Sequence, residues 1–296
     1  MNIYRFQQLL AAVLLLLLQA AQPDCAWAGE TGAAPTACAW RPDSVGRQGV
    51  LLVYFGTTHD ANREQTLDAL TLKARSRFAD CEVCEAYASE HVVKSLARRG
   101  IEKLSPVEGL LRLRSQGCRR VRVLPTFLIN GKEMGLLERD VERLRPFFDS
   151  ISLARPLLSD VARCEQVCEF LATRHPANAK QRKHVVFVGH GTQGAATAVY
   201  AQLDYMLRAG GHACHHVATI EGYPTFDTLL RQLRAQKART VTLVPLLFVA
   251  GDHATNDIAV DWKQYLELQG LRVEVHMEGL GQVPELQEMF LESTAE

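Results

Sequence analysis

The strongest constraint on the fold is that the chain presents the same order of strands and helices twice. Apolar runs rich in Val, Ile and Leu alternate with amphipathic stretches, first over residues 49–173 and again over residues 185–291. Continuous apolar runs of this kind are typical of strands buried on both faces of a parallel sheet, with crossover helices between them. We therefore expect an α/β fold of two tandem duplicated domains, each a four-stranded parallel sheet flanked by helices.

The sequence pattern also predicts the elements. The predicted strands are 50–55, 84–89, 121–129 and 152–158 in the first half, and 185–189, 216–220, 241–249 and 271–277 in the second. The predicted helices are 62–78, 91–99, 106–116, 136–147 and 160–173, followed by 197–208, 226–236 and 284–291. The domains are expected to span 47–174 and 183–296, joined by an exposed linker, with the active site in the cleft between them.

Three strands of the second half each deliver a potential metal ligand at their carboxyl end: His190, Glu221 and His253. The carboxyl ends of parallel strands lie at one edge of a sheet, which is where open α/β sheets bind ligands. Two imidazoles and one carboxylate suit a borderline divalent ion, and three ligands leave coordination positions open for a substrate. The sequence therefore predicts a metal site in the second domain.

The first half lacks this set of ligands. Alignment of the halves places Glu133 opposite His253 and Glu90 opposite Glu221, while Gly56 and Thr57 lie near the position of His190. We expect the first domain to supply the opposite wall of the cleft. A second histidine-rich segment, 212–216, precedes its strand, so it is expected at the opposite edge of the sheet.

The N-terminus has the pattern of an exported protein. Arg5 precedes the apolar run 9–18, which is followed by Ala26-Trp27-Ala28. A charged start, a short apolar run and an A-x-A motif predict a signal peptide over residues 1–28 that is cleaved to release a periplasmic protein. A retained membrane anchor is the alternative, although a membrane span needs about 20 apolar residues. Residues 29–46 are predicted to form a flexible arm.

Charge and cysteine content narrow the classes of partner. Thirty-three basic and thirty-three acidic residues give no net charge, which argues against a broad surface for nucleic acid or membranes.

Seven of the eight cysteines follow residue 28, an odd number without regular spacing. Structural cysteines are therefore favoured over a disulfide framework. We also expect a homo-oligomer.

Segments from both halves resemble those of the CbiK-type anaerobic cobaltochelatases. The resemblance lies in Gly189-His190-Gly191-Thr192, Glu221-Gly222-Tyr223-Pro224 and residues 249–254, and in residues 53–58 and 125–131 of the first half. It implies a chelatase-like fold and an enzyme that inserts Co(II) into sirohydrochlorin without ATP, on the anaerobic route to cobalamin. It also implies that His190, Glu221 and His253 bind the metal and that His190 accepts a proton. Typical members of the family lack a signal peptide.

The chemistry of tetrapyrrole metallation suggests further contacts. An apolar macrocycle with carboxylate substituents needs aromatic surfaces and cations, and the substrate-binding candidates are Phe127, Lys132, Tyr223 and Phe248. Tyr54 and Phe55 also flank the expected cleft. His91 follows a predicted strand end and is a candidate haem ligand.

Two hypotheses follow. The first is a chelatase for Co(II) that also accepts Fe(II) in vitro, since no thiolate or all-oxygen cage selects another ion. The alternative is an exported protein that captures metal or haem without turnover. Such receptors usually saturate their ion with four protein ligands, whereas only three are evident here.

Overall fold

A computed structural model describes residues 47–251 and 254–293. The predicted signal peptide and arm lie outside these residues, as does His253. The strands are β1 Arg47–Tyr54, β2 Cys81–Tyr87, β3 Cys118–Pro125, β4 Ser150–Leu153, β5 Lys183–Gly191, β6 His215–Glu221, β7 Thr240–Leu246 and β8 Arg272–Val275. They form two four-stranded sheets, β2-β1-β3-β4 and β6-β5-β7-β8, in which every neighbouring pair is parallel. The predicted pair of duplicated α/β domains is confirmed.

Helices cover both faces of the sheets. Helix α1 runs through Asp60–Arg63, a π-helical segment Glu64–Asp68, and Ala69–Arg77; it is followed by α2 Glu90–Ala97, α3 Pro106–Ser115, α4 Lys132–Leu144, α5 Val161–Arg174, α6 Ala198–Ala209 and α7 Phe226–Ala235. Helix α8 joins a π-helical segment, Ala254–Trp262, to Lys263–Leu268, and α9 is Pro284–Glu292. Within the described part of the chain, none of these helices has the length and apolarity needed to cross a bilayer.

The two domains share helices. Val167 of α5 packs in one cluster with Phe187 of β5, so α5 covers the second sheet although it precedes the linker. Helix α9 contributes Phe290 to the same cluster and Leu291 to the cluster around Val50 of β1. Burying apolar side chains of one helix in both cores fixes the two sheets relative to each other.

Helix α8 was missed in the sequence prediction. Its buried side chains recur every four residues, at Ala254, Ile258, Trp262 and Leu266. That spacing is typical of an apolar helix face, but the polar and small residues at its first four positions weaken the pattern in the sequence. Helix α8 occupies the place in the second domain that α4 occupies in the first.

Six predicted strands extend past the carboxyl ends of the observed ones, by one residue at β1, two at β2 and β8, three at β7, four at β3 and five at β4. Strand β4 ends at Leu153 rather than 158, and β7 ends at Leu246 rather than 249. Apolar residues past the ends of β4 and β7 still form backbone hydrogen bonds to the neighbouring segment. Leu157 N–H donates to Phe127 O at 3.0 Å, and Leu280 N–H donates to Leu247 O at 2.8 Å. An apolar run indicates that a segment is buried, and here the buried segment continues past the last regular pair of the ladder.

The six cysteines of the described residues are all free: Cys81, Cys84, Cys118, Cys164, Cys168 and Cys214. Burial raises the pKa of the Cys168 thiol to about 12 and that of Cys164 to about 11. A thiol held neutral in this way packs as a small apolar side chain rather than acting as a nucleophile or metal ligand. This environment agrees with a structural role for Cys164 and Cys168.

Candidate active site

A cavity of about 690 Å³ lies where the carboxyl ends of the two sheets meet. From the first domain it is lined by the segments that follow β1, β2 and β3, including Phe55, Thr57, Ser89, His91, Phe127, Lys132 and Glu133. From the second domain it is lined by the ends of β5, β6 and β7, including His190, Gly191, Glu221, Phe248 and Gly251. The site predicted from the strand ends thus borders a cavity shared by both domains.

His190 and Glu221 lie side by side at this edge. Gly191 pairs with Glu221 in the parallel ladder, so β5 and β6 bring His190 and Glu221 to the same edge of the sheet, one residue apart in register. His190 is half-buried and Glu221 is exposed. His253 lies outside the described residues, while Val249 and Gly251 just before it line the cavity. Among residues 47–251 and 254–293, no three His, Cys, Asp or Glu side chains form a metal-binding group, and only two of the three predicted ligands fall in that range.

The orientation of the His190 ring is set by the backbone beside it. Its Nδ1 lies 3.1 Å from the Gly191 carbonyl oxygen, which can only accept, so Nδ1 carries the proton. In the neutral imidazole, Nε2 then keeps its lone pair for a metal ion or for a proton. This is the tautomer that either predicted role of His190 requires.

Tyr200 of α6 packs against the end of β5 that carries His190. The Gly191 backbone near its phenol oxygen lowers the pKa of Tyr200, but burial outweighs this effect and raises the pKa to about 12. The ring lies against Gly189, where a Cβ would stand 2.3 Å from a ring carbon. Gly191 therefore lies near Tyr200, and its carbonyl oxygen accepts from His190 Nδ1. The sequence prediction missed Tyr200; a glycine inside strand β5 was the available sign of such a close approach.

A second residue missed from the sequence is Asn62 of α1. Its side-chain Nδ2 donates to the Ala250 carbonyl oxygen at 2.9 Å, across the two domains. Ala250 belongs to the segment that leads from β7 to position 253. The first domain thus holds the backbone of the segment that carries the third predicted ligand. No local pattern around Asn62 pointed to this contact.

The predicted substrate-binding residues fall in different environments. Phe127 lines the cavity but is 9% exposed and packs in the first core. Phe248 also lines the cavity and packs between Tyr54 and Phe290, with ring centroids at 6.0 and 5.1 Å. Lys132 is exposed at the first residue of α4, on the cavity wall.

Tyr223 and His91 are both exposed. Tyr223 follows Glu221 but does not belong to the cavity lining, and its carbonyl oxygen accepts a hydrogen bond from Thr197 Oγ1 at 3.3 Å. His91 lies in the first turn of α2 at the cavity rim.

The register of the sheets corrects the alignment of the two halves by one residue. Val53 pairs with Pro125 as Val188 pairs with Pro245, so the residue after Tyr54, Phe55, occupies the position of His190. The predicted equivalence of Gly56 and Thr57 with His190 is wrong. The β2 and β6 ladders likewise match Ser89, not Glu90, to Glu221, because Ala86 pairs with Val53 as Ala218 pairs with Val188. Position 253 lies outside the described residues, so the equivalence of Glu133 with His253 stays a prediction.

The histidine-rich segment at 212–216 lies at the other end of β6, as expected. His216 is fully buried, its Nε2 is 3.0 Å from His184 Nδ1 and its Nδ1 is 3.2 Å from Gln232 Oε1. Gln232 in turn donates to Asp204, which accepts from the Val217 N–H. This network stabilises the edge of the second sheet and is separate from the cavity.

Comparison with known proteins identifies relatives of the whole described region. The model of the cobalt chelatase (CbiK) family matches residues 48–296. Sirohydrochlorin cobaltochelatase from Salmonella typhimurium is 34% identical over 250 residues, covering 83% of this chain and 94% of the relative. Sirohydrochlorin cobaltochelatase CbiKC from Nitratidesulfovibrio vulgaris is 33% identical over 233 residues, covering 76% of this chain and 82% of the relative.

Solved structures share the fold. SirB from Bacillus subtilis with Fe³⁺ superposes with a TM-score of 0.61 at 15% identity, covering 83% of this chain and 94% of that one. The sirohydrochlorin chelatase SirB from Bacillus subtilis subspecies spizizenii in complex with cobalt gives 0.58 at 15% identity, with coverage of 84% and 94%. At this level of identity the likeness establishes the architecture of two chelatase-like domains.

Proposed function

Because the chain belongs to the cobalt chelatase (CbiK) family, we propose that it inserts Co(II) into sirohydrochlorin. The observation that carries this proposal is the placement of His190 and Glu221 at adjacent strand ends on the wall of a cavity formed by both domains. The relatives named as sirohydrochlorin cobaltochelatases support the substrate and the metal.

The site residues would contribute metal ligands and a proton acceptor to metallation. His190 Nε2 and the Glu221 carboxylate, together with His253, supply three ligands and leave positions open for ring nitrogens. The macrocycle loses two N–H protons when it takes up the ion. The ring nitrogens displace the protein ligands, and until that exchange the Glu221 carboxylate offsets part of the positive charge of the ion. His190 Nε2, once released from the ion, can accept one of the two protons, and the other passes to solvent.

A turnover measurement tests the proposal. Purified protein is mixed anaerobically with Co(II) and a large excess of sirohydrochlorin, and the absorption spectrum is followed. We expect many equivalents of metallated product per protein chain. Conversion of at most one equivalent, with the ion retained on the protein, would instead indicate a receptor that captures metal.

We propose that Fe(II) is also inserted in vitro. His190 and Glu221 offer a nitrogen and an oxygen ligand, a combination that accepts Fe(II), Co(II) and Ni(II) with rising affinity. Turnover need not rise with affinity, since a tightly held ion is released slowly. We expect Co(II) to be at least as good a substrate as Fe(II) in parallel anaerobic assays, and activity with Fe(II) alone would overturn the cobalt assignment.

Haem binding at His91 is a separate proposal. The imidazole is exposed at the cavity rim, which leaves it accessible to a haem iron. Titration of haem into the wild-type protein and His91→Ala, followed by the Soret band, tests it; identical titrations would reject this ligand.

Export and assembly are proposed from the sequence. We propose that the mature protein begins near Gly29 in the periplasm and forms a homo-oligomer. N-terminal sequencing of the native protein tests the cleavage, and finding Met1 would contradict it. Light scattering measures the mass, and a monomer would contradict the assembly.

A further inference from the structure

Phe55 is a large apolar side chain exposed in the active-site cavity. Its relative exposure is 51%, and it lines the same cavity as His190, from the opposite domain. Exposed apolar residues are common on protein surfaces, so exposure alone decides nothing. The position of Phe55 in the duplicated fold is what distinguishes it.

Phe55 stands where the second domain has its metal-ligating histidine. The matched registers of β1 with β3 and of β5 with β7 make Phe55 and His190 equivalent residues at the ends of the two central strands. Ser89 occupies the position of Glu221. The first domain therefore has a phenyl ring where the second has an imidazole, and a hydroxyl where the second has a carboxylate. Neither replacement is a good ligand for a borderline divalent ion.

The backbone holds Phe55 in place. Its carbonyl oxygen accepts from Ser89 N–H at 3.1 Å, which extends the ladder of β1 and β2 beyond the last regular pair. The next residue, Gly56, has φ +104, and a Cβ there would stand 2.7 Å from the Tyr87 ring. The turn is thus closely packed at Gly56, and Phe55 is presented from a rigid support. A preorganised aromatic surface costs little conformational entropy on binding a ligand.

We propose that Phe55 is the stacking surface for the tetrapyrrole ring on the first-domain side of the cavity. A flat conjugated macrocycle offers one face to the metal ligands at His190 and Glu221 and needs an apolar support on the other. Aromatic rings stack in offset arrangements that stabilise beyond the burial of area. Phe55 acts on binding of the macrocycle rather than on binding of the ion, so it determines affinity for the organic substrate. This inference rests on the proposed chelatase function.

The test compares substitutions at Phe55 in the full-length protein. Phe55→Ala is expected to raise the KM for sirohydrochlorin about tenfold, which corresponds to about 1.4 kcal/mol. The kcat and the affinity for Co(II) measured without tetrapyrrole should change less than twofold. Phe55→Trp should retain wild-type KM, while Phe55→Leu, which is apolar but not flat, should resemble Phe55→Ala. Tyr205→Ala removes an aromatic ring that is 68% exposed on α6 outside the cavity, and it should leave all three values unchanged.

The outcomes separate this inference from the proposed function. An unchanged KM in Phe55→Ala, or a loss of Co(II) affinity equal to the loss in KM, would overturn the stacking role. If the wild-type protein showed no turnover, the chelatase proposal would fail. The dissociation constant of sirohydrochlorin, measured by its change in absorption, would then still test Phe55: equal constants for wild type and Phe55→Ala would reject it.

Discussion

Gly191 and Glu221 pair so closely across β5 and β6 that a Cβ at position 191 would stand 1.5 Å from the Glu221 carbonyl oxygen. Gly191 also has φ +79, a conformation that other residues adopt only with strain. The strand ends that carry His190 and Glu221 are therefore set together by one backbone contact. Any change at this contact moves the His190 imidazole relative to the Glu221 carboxylate, the two proposed metal ligands.

Gly191→Ala is expected to lower the rate of Co(II) insertion by at least tenfold and to weaken Co(II) binding. The added methyl group has no space, because the atom it meets is backbone rather than a flexible side chain. Steady-state insertion and isothermal titration with Co(II) measure the two effects. Gly194→Ala is the matched control, since the nearest atom to a Cβ there is Thr192 Oγ1 at 3.9 Å. Wild-type activity in Gly191→Ala would show that the register of β5 and β6 does not position the ligands.

Tyr200→Phe tests the support beneath His190. The substitution removes the phenol oxygen near the Gly191 backbone and keeps the ring that packs against Gly189. We expect kcat for Co(II) insertion to fall about tenfold and the pH profile of kcat to shift, because the Gly191 carbonyl also fixes the His190 tautomer. Tyr205→Phe, an exposed tyrosine of the same helix, is the control. A loss of thermal stability with an unchanged pH profile and kcat would mean that Tyr200 only fills space.

Acid is expected to destabilise the second domain through His216. Burial, followed by the neighbouring His184, lowers the pKa of His216 to about 4 in the folded protein, whereas an unfolded histidine has a pKa of about 6.5. The unfolded state therefore binds more protons between these values, and stability falls as the pH falls from about 6.5 to 4. This one group is expected to cost about 2 kcal/mol between pH 7.5 and pH 5.

Urea unfolding at pH 7.5 and pH 5 measures this loss. His216→Gln removes the titrating group, and circular dichroism at pH 7.5 first establishes that the variant folds. Its unfolding free energy should then change less between the two pH values than that of the wild type. An equal change in both proteins would exclude His216 as a source of the acid sensitivity.

The architecture was predictable because each buried parallel strand appears in the sequence as a continuous apolar run. Val185–Val188 and Val50–Val53 are uninterrupted apolar runs, and repetition of the same order of elements indicated two domains. The sharing of helices was not predictable, because α5 and α9 look like ordinary amphipathic helices wherever they pack. Which core receives Leu291 depends on the tertiary arrangement and not on any local pattern.

The site was predictable only in part. His190 and Glu221 could be found because a polar residue at the end of a buried strand is conspicuous. The equivalence of Phe55 with His190 could not, because it depends on the strand register, and a shift of one residue is invisible in an alignment of two diverged halves. Tyr200 and Asn62 act through backbone atoms of other segments, so their own side-chain types gave no indication of the contact.

The most direct test of the metal site is the rate of Co(II) insertion into sirohydrochlorin by His190→Ala and Glu221→Gln under anaerobic conditions. Both side chains lie on the cavity wall at strand ends, so their truncation removes a ligand without opening a core cavity. His212→Ala, at the far end of β6, is the control. We predict a loss of more than a hundredfold in His190→Ala, a smaller loss in Glu221→Gln and wild-type turnover in His212→Ala, with circular dichroism unchanged in all three. Near-wild-type turnover in His190→Ala would contradict the placement of the metal at this edge of the second sheet.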